Sequence, residues 1–159
     1  MPKRPSSTTS KTSALLAGVA GEYFVAAELS RRGWIASISL RNTRGVDILA
    51  TNSEATLSVS IQCKSTQGSK AAWILSDKSE SFVSDSHFYV FVILGSRLER
   101  PHFHIVPSRD VAESICQDHS AWLRTPGRDG KAHVDNAIRK FEDKDGKYLE
   151  RWDLLGLGG

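Results

Sequence analysis

Alternation of apolar and polar residues is strongest between Val46 and Lys64, VDILATNSEATLSVSIQCK. In the second half, Leu57, Val59, Ile61 and Cys63 share one face and Ser58, Ser60, Gln62 and Lys64 the other, the period of a half-buried strand. In the first half, Asp47 stands between Val46 and Ile48, where β-propensity alone would not place a carboxylate. The stretch predicts two strands joined by a polar turn. A hairpin turning at Glu54 and Ala55 sets Leu49 opposite Ser60 and Asp47 opposite Gln62, with Cβ atoms about 5 Å apart. Lys64 then follows one pleat further on the same face, and a slip of one residue would destroy the arrangement. A carboxylate, an amide oxygen and an ammonium meet there, which suits a hard cation on the oxygens and a water or phosphate facing the lysine.

Upstream, MPKRPSSTTSK has no hydrophobic period and reads as a flexible basic arm over 1–12, leaving 13–159 as one domain. From Thr12 or Ser13 an amphipathic helix is predicted to about Arg32, stopped by Gly33. Leu15, Val19, Ala26 and Leu29 gather on one stripe with Glu22 in its middle, while Glu28 falls on the polar side. A carboxylate among apolar positions is costly unless paired or bound to a cation. The competing explanation is a helix-edge glutamate that snorkels or meets an arginine.

Trp34 to Leu40 alternates as a strand, and Arg41 and Arg44 fall in the turn before Asp47 as candidate phosphate contacts. The segment 65–86 is polar around one apolar patch, Ala71 to Leu75, in which Trp73 reads as a buried anchor rather than a base-stacking platform. Lys70 and Lys78 are further phosphate candidates. Phe88 to Leu94 is continuously apolar and predicts a central strand covered on both faces. A shorter strand, Phe103 to Val106, brings His102 and His104 to one face, a pair without a third ligand at metal spacing. Ser108 is expected to cap a helix to Cys116 or beyond, with Val111, Ala112 and Ile115 inward. RTPGRDGKAH reads as a solvated loop, with a lid carrying Arg124, Arg128 and Lys131 as the alternative. Ala132 to Asp143 is expected to be helical, and Tyr148 to Leu157 to pack back on the body.

Composition narrows the function classes. With 159 residues and 40% hydrophobic content, the chain can bury a core without disulfides. Two cysteines, Cys63 and Cys116, exclude a disulfide framework or a four-thiolate zinc site and point to a reducing cytoplasm. No apolar run approaches the roughly 18 residues that span a bilayer, and no signal-peptide core is visible, so a soluble protein is expected. A net charge of +3 and a pI near 9.0 favour a polyanionic partner, nucleic acid first.

GVD at 45–47, IQCK at 61–64 after the hairpin, and a preceding helix bearing Glu22 together resemble the PD-(D/E)xK nuclease superfamily. That superfamily includes Holliday-junction resolvases and many restriction endonucleases. The resemblance covers about Ser13 to Val106. It implies an α/β fold with a restriction-endonuclease-like core: a helix, a three-stranded antiparallel meander, further central strands and flanking helices. It also implies Asp47 as metal-binding aspartate, Gln62 as the variable second ligand, Lys64 as the lysine and Glu22 as the first-helix acid. The Cys63 carbonyl would complete an oxygen set for Mg²⁺ or Mn²⁺. Gly45 and Val46 stand where some members carry proline, and Gln62 replaces a carboxylate, which removes one negative charge that Glu22 would restore. The implied function is a metal-dependent DNA endonuclease, with homodimerisation expected by analogy because two strands need two sites. A nuclease-like protein that binds nucleic acid without cutting, and a protein-interaction or immunity module, are the alternatives.

Overall fold

Ser13 opens the first helix by accepting a hydrogen bond from the Leu16 amide at 3.3 Å. The helix, α1, runs Ala14–Arg31, and Gly33, at φ +81°, turns the chain out of it in the left-handed region that glycine tolerates. The computed structural model describes residues 12–40 and 44–158. The basic arm at 1–11 and Arg41 lie outside the described residues.

Three strands follow as an antiparallel meander: β1 (Ile35–Ile38), β2 (Ile48–Thr51) and β3 (Ser58–Thr66). After β4 (Ala72–Ser76) the chain returns as β5 (His87–Ile93), parallel to β3, and then β6 (His102–Pro107), antiparallel to β5. The helix α2 (Ser108–Arg124) and the strand β7 (Ile138–Glu142) complete the regular elements. The main sheet has the order β1-β2-β3-β5-β6, and β4 pairs with β7 in a second, two-stranded sheet. The fold class expected from the sequence is therefore the one observed.

Strand β5 is buried along its whole length because both faces are covered. Phe88, Val90 and Val92 join Val25 and Leu29 of α1, Ile48 of β2, Ile61 of β3, and Trp152 and Leu155 near the C-terminus. Tyr89, Phe91 and Ile93 face Trp73, Phe141 and the Val111 and Ile115 side of α2. Trp73 is thus a core anchor, 3% exposed, and its indole N–H donates to the Val92 carbonyl at 3.2 Å. No helix among the described residues is long and apolar enough to cross a membrane.

The hairpin turns where expected, but its details come from Asn52. The Asn52 side-chain oxygen accepts from the Thr56 and Leu57 amides at 2.9 and 3.0 Å, and Ala55 sits at φ +55° at the tip. This turn holds Leu57 ahead of β3, so Leu57 stays 50% exposed instead of facing inward with Val59, Ile61 and Cys63.

Four expectations are corrected. The inner face of α1 is Ala17, Gly21, Val25, Glu28 and Leu29, and Leu15 is exposed. Small residues at 17 and 21 let the first half of the helix sit close on the sheet, while Leu15 and Leu16 lie exposed and Val25 and Leu29 fill the core further on. Glu28, expected in solvent, is 6% exposed and neutralised by arginines. Ser108 does not cap α2: its hydroxyl donates to the Ser84 carbonyl and accepts from the Ser84 amide, tying the helix to the loop before β5. The segment Ala132–Asp143 is not a helix but a loop and then β7. Its ladder with β4 turns Arg139 and Phe141 inward, and Arg139 is satisfied by Glu80 and by the Asn136 and Ile138 carbonyls.

The two histidines of β6 separate in burial: His102 is exposed, while His104 is buried with Nδ1 2.6 Å from Asp143. Asp143 also accepts from the Lys147 and Tyr148 amides at 2.9 and 3.0 Å, so one carboxylate closes the turn that leads to the C-terminal segment. Asp143→Ala orphans three donors or acceptors at once and is expected to destabilise the protein by about 3 kcal/mol. Urea denaturation checks this, and a loss below about 1 kcal/mol would contradict the bridging role.

Candidate active site

Asp47 is fixed from both sides of the sheet. Its amide donates to the Ile61 carbonyl at 2.8 Å, and its own carbonyl accepts from the Ser39 amide at 2.8 Å. The register Leu49↔Ser60 and Ile48↔Ile61 carries on in this direction, as the alternation predicted. Its side chain reaches across the hairpin, where Oδ2 accepts from the Cys63 amide at 2.7 Å. The approach to Asp47 is shaped by Gly45, at φ +64°, where a Cβ would come within 2.9 Å of the Phe82 ring. Only glycine meets both conditions.

Gln62 and Lys64 alternate with the buried Ile61 and Cys63 on β3, which leaves both half-buried on the opposite pleat. One turn-rich face of α1 supplies Glu22, also half-buried. Glu22, Asp47, Gln62 and Lys64 border one cleft of about 390 Å³, closed on the helix side by Leu15, Gly18 and Val19 and on the strand side by Cys63 and Ser65. The charges act at a common point. Burial pushes the Cys63 thiol well above its ordinary range, the carboxylates of Asp47 and Glu22 add to that, and the Lys64 ammonium opposes it.

The remaining candidates are elsewhere. Arg44 and Lys70 are exposed and do not line the cleft, and Lys78 is exposed too. Cys63, whose carbonyl the resemblance offered as a ligand, borders the cleft, and its amide serves Asp47. Sequence reasoning missed the small residues Gly18, Gly21 and Ser65, although the four-residue step from Ala17 to Gly21 signals a helix packed close on a neighbour.

The donor set fits a hard divalent cation: two carboxylates and an amide oxygen, all oxygen ligands that Mg²⁺ or Mn²⁺ prefer. Among the described residues no three His, Cys, Asp or Glu side chains form a metal-binding group. A wider cleft of about 520 Å³ lies beside Trp122 and Arg139, but the cations bordering it are already paired, Lys140 and Lys144 with Glu142 and Arg139 with Glu80.

Among solved structures, the chain is similar to a bacterial homing endonuclease, with a TM-score of 0.55 and 19% identity over 93% of this chain and 95% of that one. The protein has a restriction-endonuclease-like nuclease fold. A Holliday junction resolvase from the archaeal hyperthermophile Archaeoglobus fulgidus also matches, at 14% identity, 89% coverage of each chain and a TM-score of 0.44. No family model and no curated protein matches the sequence. The fold agrees with the resemblance carried by GVD and IQCK.

Proposed function

We propose that the protein is a metal-dependent DNA endonuclease that hydrolyses phosphodiester bonds in the cleft between α1 and the β2-β3 hairpin. The observation that carries this reading is the meeting of Glu22, Asp47, Gln62 and Lys64 at one 390 Å³ cleft within a nuclease fold. Asp47, Glu22 and the Gln62 side-chain oxygen would hold Mg²⁺ or Mn²⁺, with the Cys63 carbonyl as a further oxygen donor. When bound, the ion supplies Lewis-acid polarisation of the phosphodiester and a more acidic water.

The chain's own groups divide the rest of the work. Asp47 is oriented by the Cys63 amide, so its carboxylate faces the cleft without a search through rotamers. Lys64 Nζ, two residues from Gln62 on the same face, positions the attacking water and offsets the negative charge that develops on phosphorus. The water oxygen bonds to phosphorus in line and loses a proton to solvent, and the five-bonded phosphorus then breaks its bond to the sugar oxygen, which leaves and takes up a proton from solvent. Arg41 and Arg44 in the turn before Asp47, Lys70 and the basic residues of the N-terminal arm would contact the DNA backbone, giving affinity that falls with salt. Cutting both strands would call for two chains.

The test incubates linear, supercoiled, single-stranded and branched DNA with Mg²⁺ or Mn²⁺, with and without chelator. Wild type is expected to cut at least one form only with metal, and Lys64→Ala to cut it at least about 100-fold more slowly. Failure of wild type to cut any form, or equal cutting by the variant, overturns the proposal. Gln62 in place of a carboxylate favours one second reading, DNA binding without cleavage, whose mark is binding that survives chelation in a chain that never cuts.

A further inference from the structure

The cleft holds its two carboxylates on different elements, Asp47 on the hairpin and Glu22 on α1, so its shape depends on how closely the helix lies against β3. Beside the two carboxylates, that distance is limited by one close contact. Gly21, the residue before Glu22, is buried against Ser65, the residue after Lys64. A Cβ built on Gly21 would lie 1.8 Å from Ser65 Oγ, 3.1 Å from Ser65 Cβ and 3.7 Å from Val92 Cγ2 on the neighbouring strand. Ser65 and Val92 are register partners in the β3-β5 ladder, so the surface that meets Gly21 is the rigid centre of the sheet.

The contact is steric rather than polar, because Ser65 Oγ is enclosed without a hydrogen-bond partner. Rotating the hydroxyl would remove the 1.8 Å collision but not the 3.1 Å approach of the two Cβ atoms, which no side-chain torsion relieves. A side chain at position 21 therefore pushes the helix out by a few tenths of an ångström. Glu22 moves with it, away from Asp47 and Gln62. Gly18, one turn earlier on the same helix, also borders the cleft, yet a Cβ there would meet nothing within 4 Å.

We infer that Gly21 and Ser65 form the positioning contact of the cation site: the absence of a side chain at Gly21 lets the helix rest on Ser65 and delivers Glu22 to the oxygen donors of the hairpin. The inference rests on the proposed function of the cleft and names residues beyond the motif. Neither residue touches metal or DNA.

The experiment compares Gly21→Ala, Gly18→Ala, Glu22→Gln and the double variant Gly21→Ala/Ser65→Gly as full chains. Each is measured for Mn²⁺ binding by electron paramagnetic resonance, thermal melting without metal, and cleavage of the best DNA substrate. Gly21→Ala is expected to weaken Mn²⁺ binding about tenfold, approaching Glu22→Gln, since displaced supporting contacts cost metal sites about that much. Gly18→Ala melts no lower than wild type, because it adds a better helix former where a Cβ meets nothing within 4 Å. The double variant recovers Mn²⁺ affinity, as the nearest remaining neighbour is then at the ordinary 3.7 Å. Unchanged Mn²⁺ affinity in Gly21→Ala, or no recovery in the double variant, overturns the inference. If Gly21→Ala melts too low to be folded, the double variant decides alone, by folding with wild-type affinity or not. Metal binding by wild type without cleavage would overturn the enzymatic reading and leave the positioning contact standing, whereas no Mn²⁺ binding by wild type overturns both.

Discussion

Asp47→Asn is expected to reduce metal-dependent cleavage at least about 1,000-fold while leaving the fold in place. Asparagine keeps an oxygen that can accept from the Cys63 amide, the bond that ties the start of β2 to β3 at 2.7 Å. It removes the charge. With Gln62 already neutral, the substitution leaves Glu22 as the one carboxylate at the cleft, too little to hold a divalent ion against water. Asp47→Ala would confound the result, because it also orphans the Cys63 amide at a cost of about 1–3 kcal/mol. Cleavage rates at saturating Mn²⁺ and melting curves decide it together. A variant that cuts within tenfold of wild type would remove Asp47 from the reaction, whatever the shape of the cleft. Equal loss of melting temperature and activity would mean that Asp47 is structural.

How much of this site was legible depended on which kind of packing surrounded each residue. The hairpin was readable because its inward side chains, Val59, Ile61 and Cys63, are large and strictly alternate, so one register buries them all and places Asp47, Gln62 and Lys64 together. The apolar run of β5 was readable for the same reason. The helix α1 was readable only in part: Leu29 is buried as expected, but Ala17 and Gly21 share the contact face while Leu15, Leu16 and Tyr23 are exposed. Glu22 still arrived at the cleft on the stripe it shares with Leu15 and Val19, which borders the cleft instead of the core. The strand β7 was hidden by its composition. Ala, Asn, Arg and Lys around Ile138 and Phe141 give a helical rhythm, and only pairing with β4, through Trp73↔Phe141, makes it extended. Arg139 in that strand shows the limit of pattern reading, because a charged residue faces inward only where another segment, here the turn with Glu80, comes to meet it.

Glu28 shows the same limit with the larger energetic consequence. Its carboxylate is enclosed, with Arg32 at 2.6 Å, Arg31 at 2.8 Å and Arg100 at 2.9 Å. Arg100 also bonds Glu150 at 2.8 Å, and the Arg32 guanidinium lies 4.4 Å over Trp152, so the cluster fastens the end of α1 to the start of β6 and to the C-terminal segment. Burial alone would raise the Glu28 carboxyl, but the hydrogen bonds from Arg100 and Arg32 and the charges of Arg100 and Arg31 outweigh it and hold it at about 2. A carboxyl lowered in the folded state adds stability that is complete above its unfolded value of 4.5 and is lost as pH falls from there toward about 2. The amount is on the order of 3 kcal/mol. Glu28→Ala is expected to cost about 3 kcal/mol at pH 7, the low end for breaking a buried pair, because Arg31 and Arg100 keep contact with water. Glu28→Gln keeps hydrogen-bonding capacity and costs less, but its stability no longer falls with this group's protonation. Urea titrations of wild type and Glu28→Gln at pH 7, 4 and 3 measure the difference. The wild-type advantage should shrink steadily across the two lower values, and a constant gap would mean that the arginines hold Glu28 by shape alone.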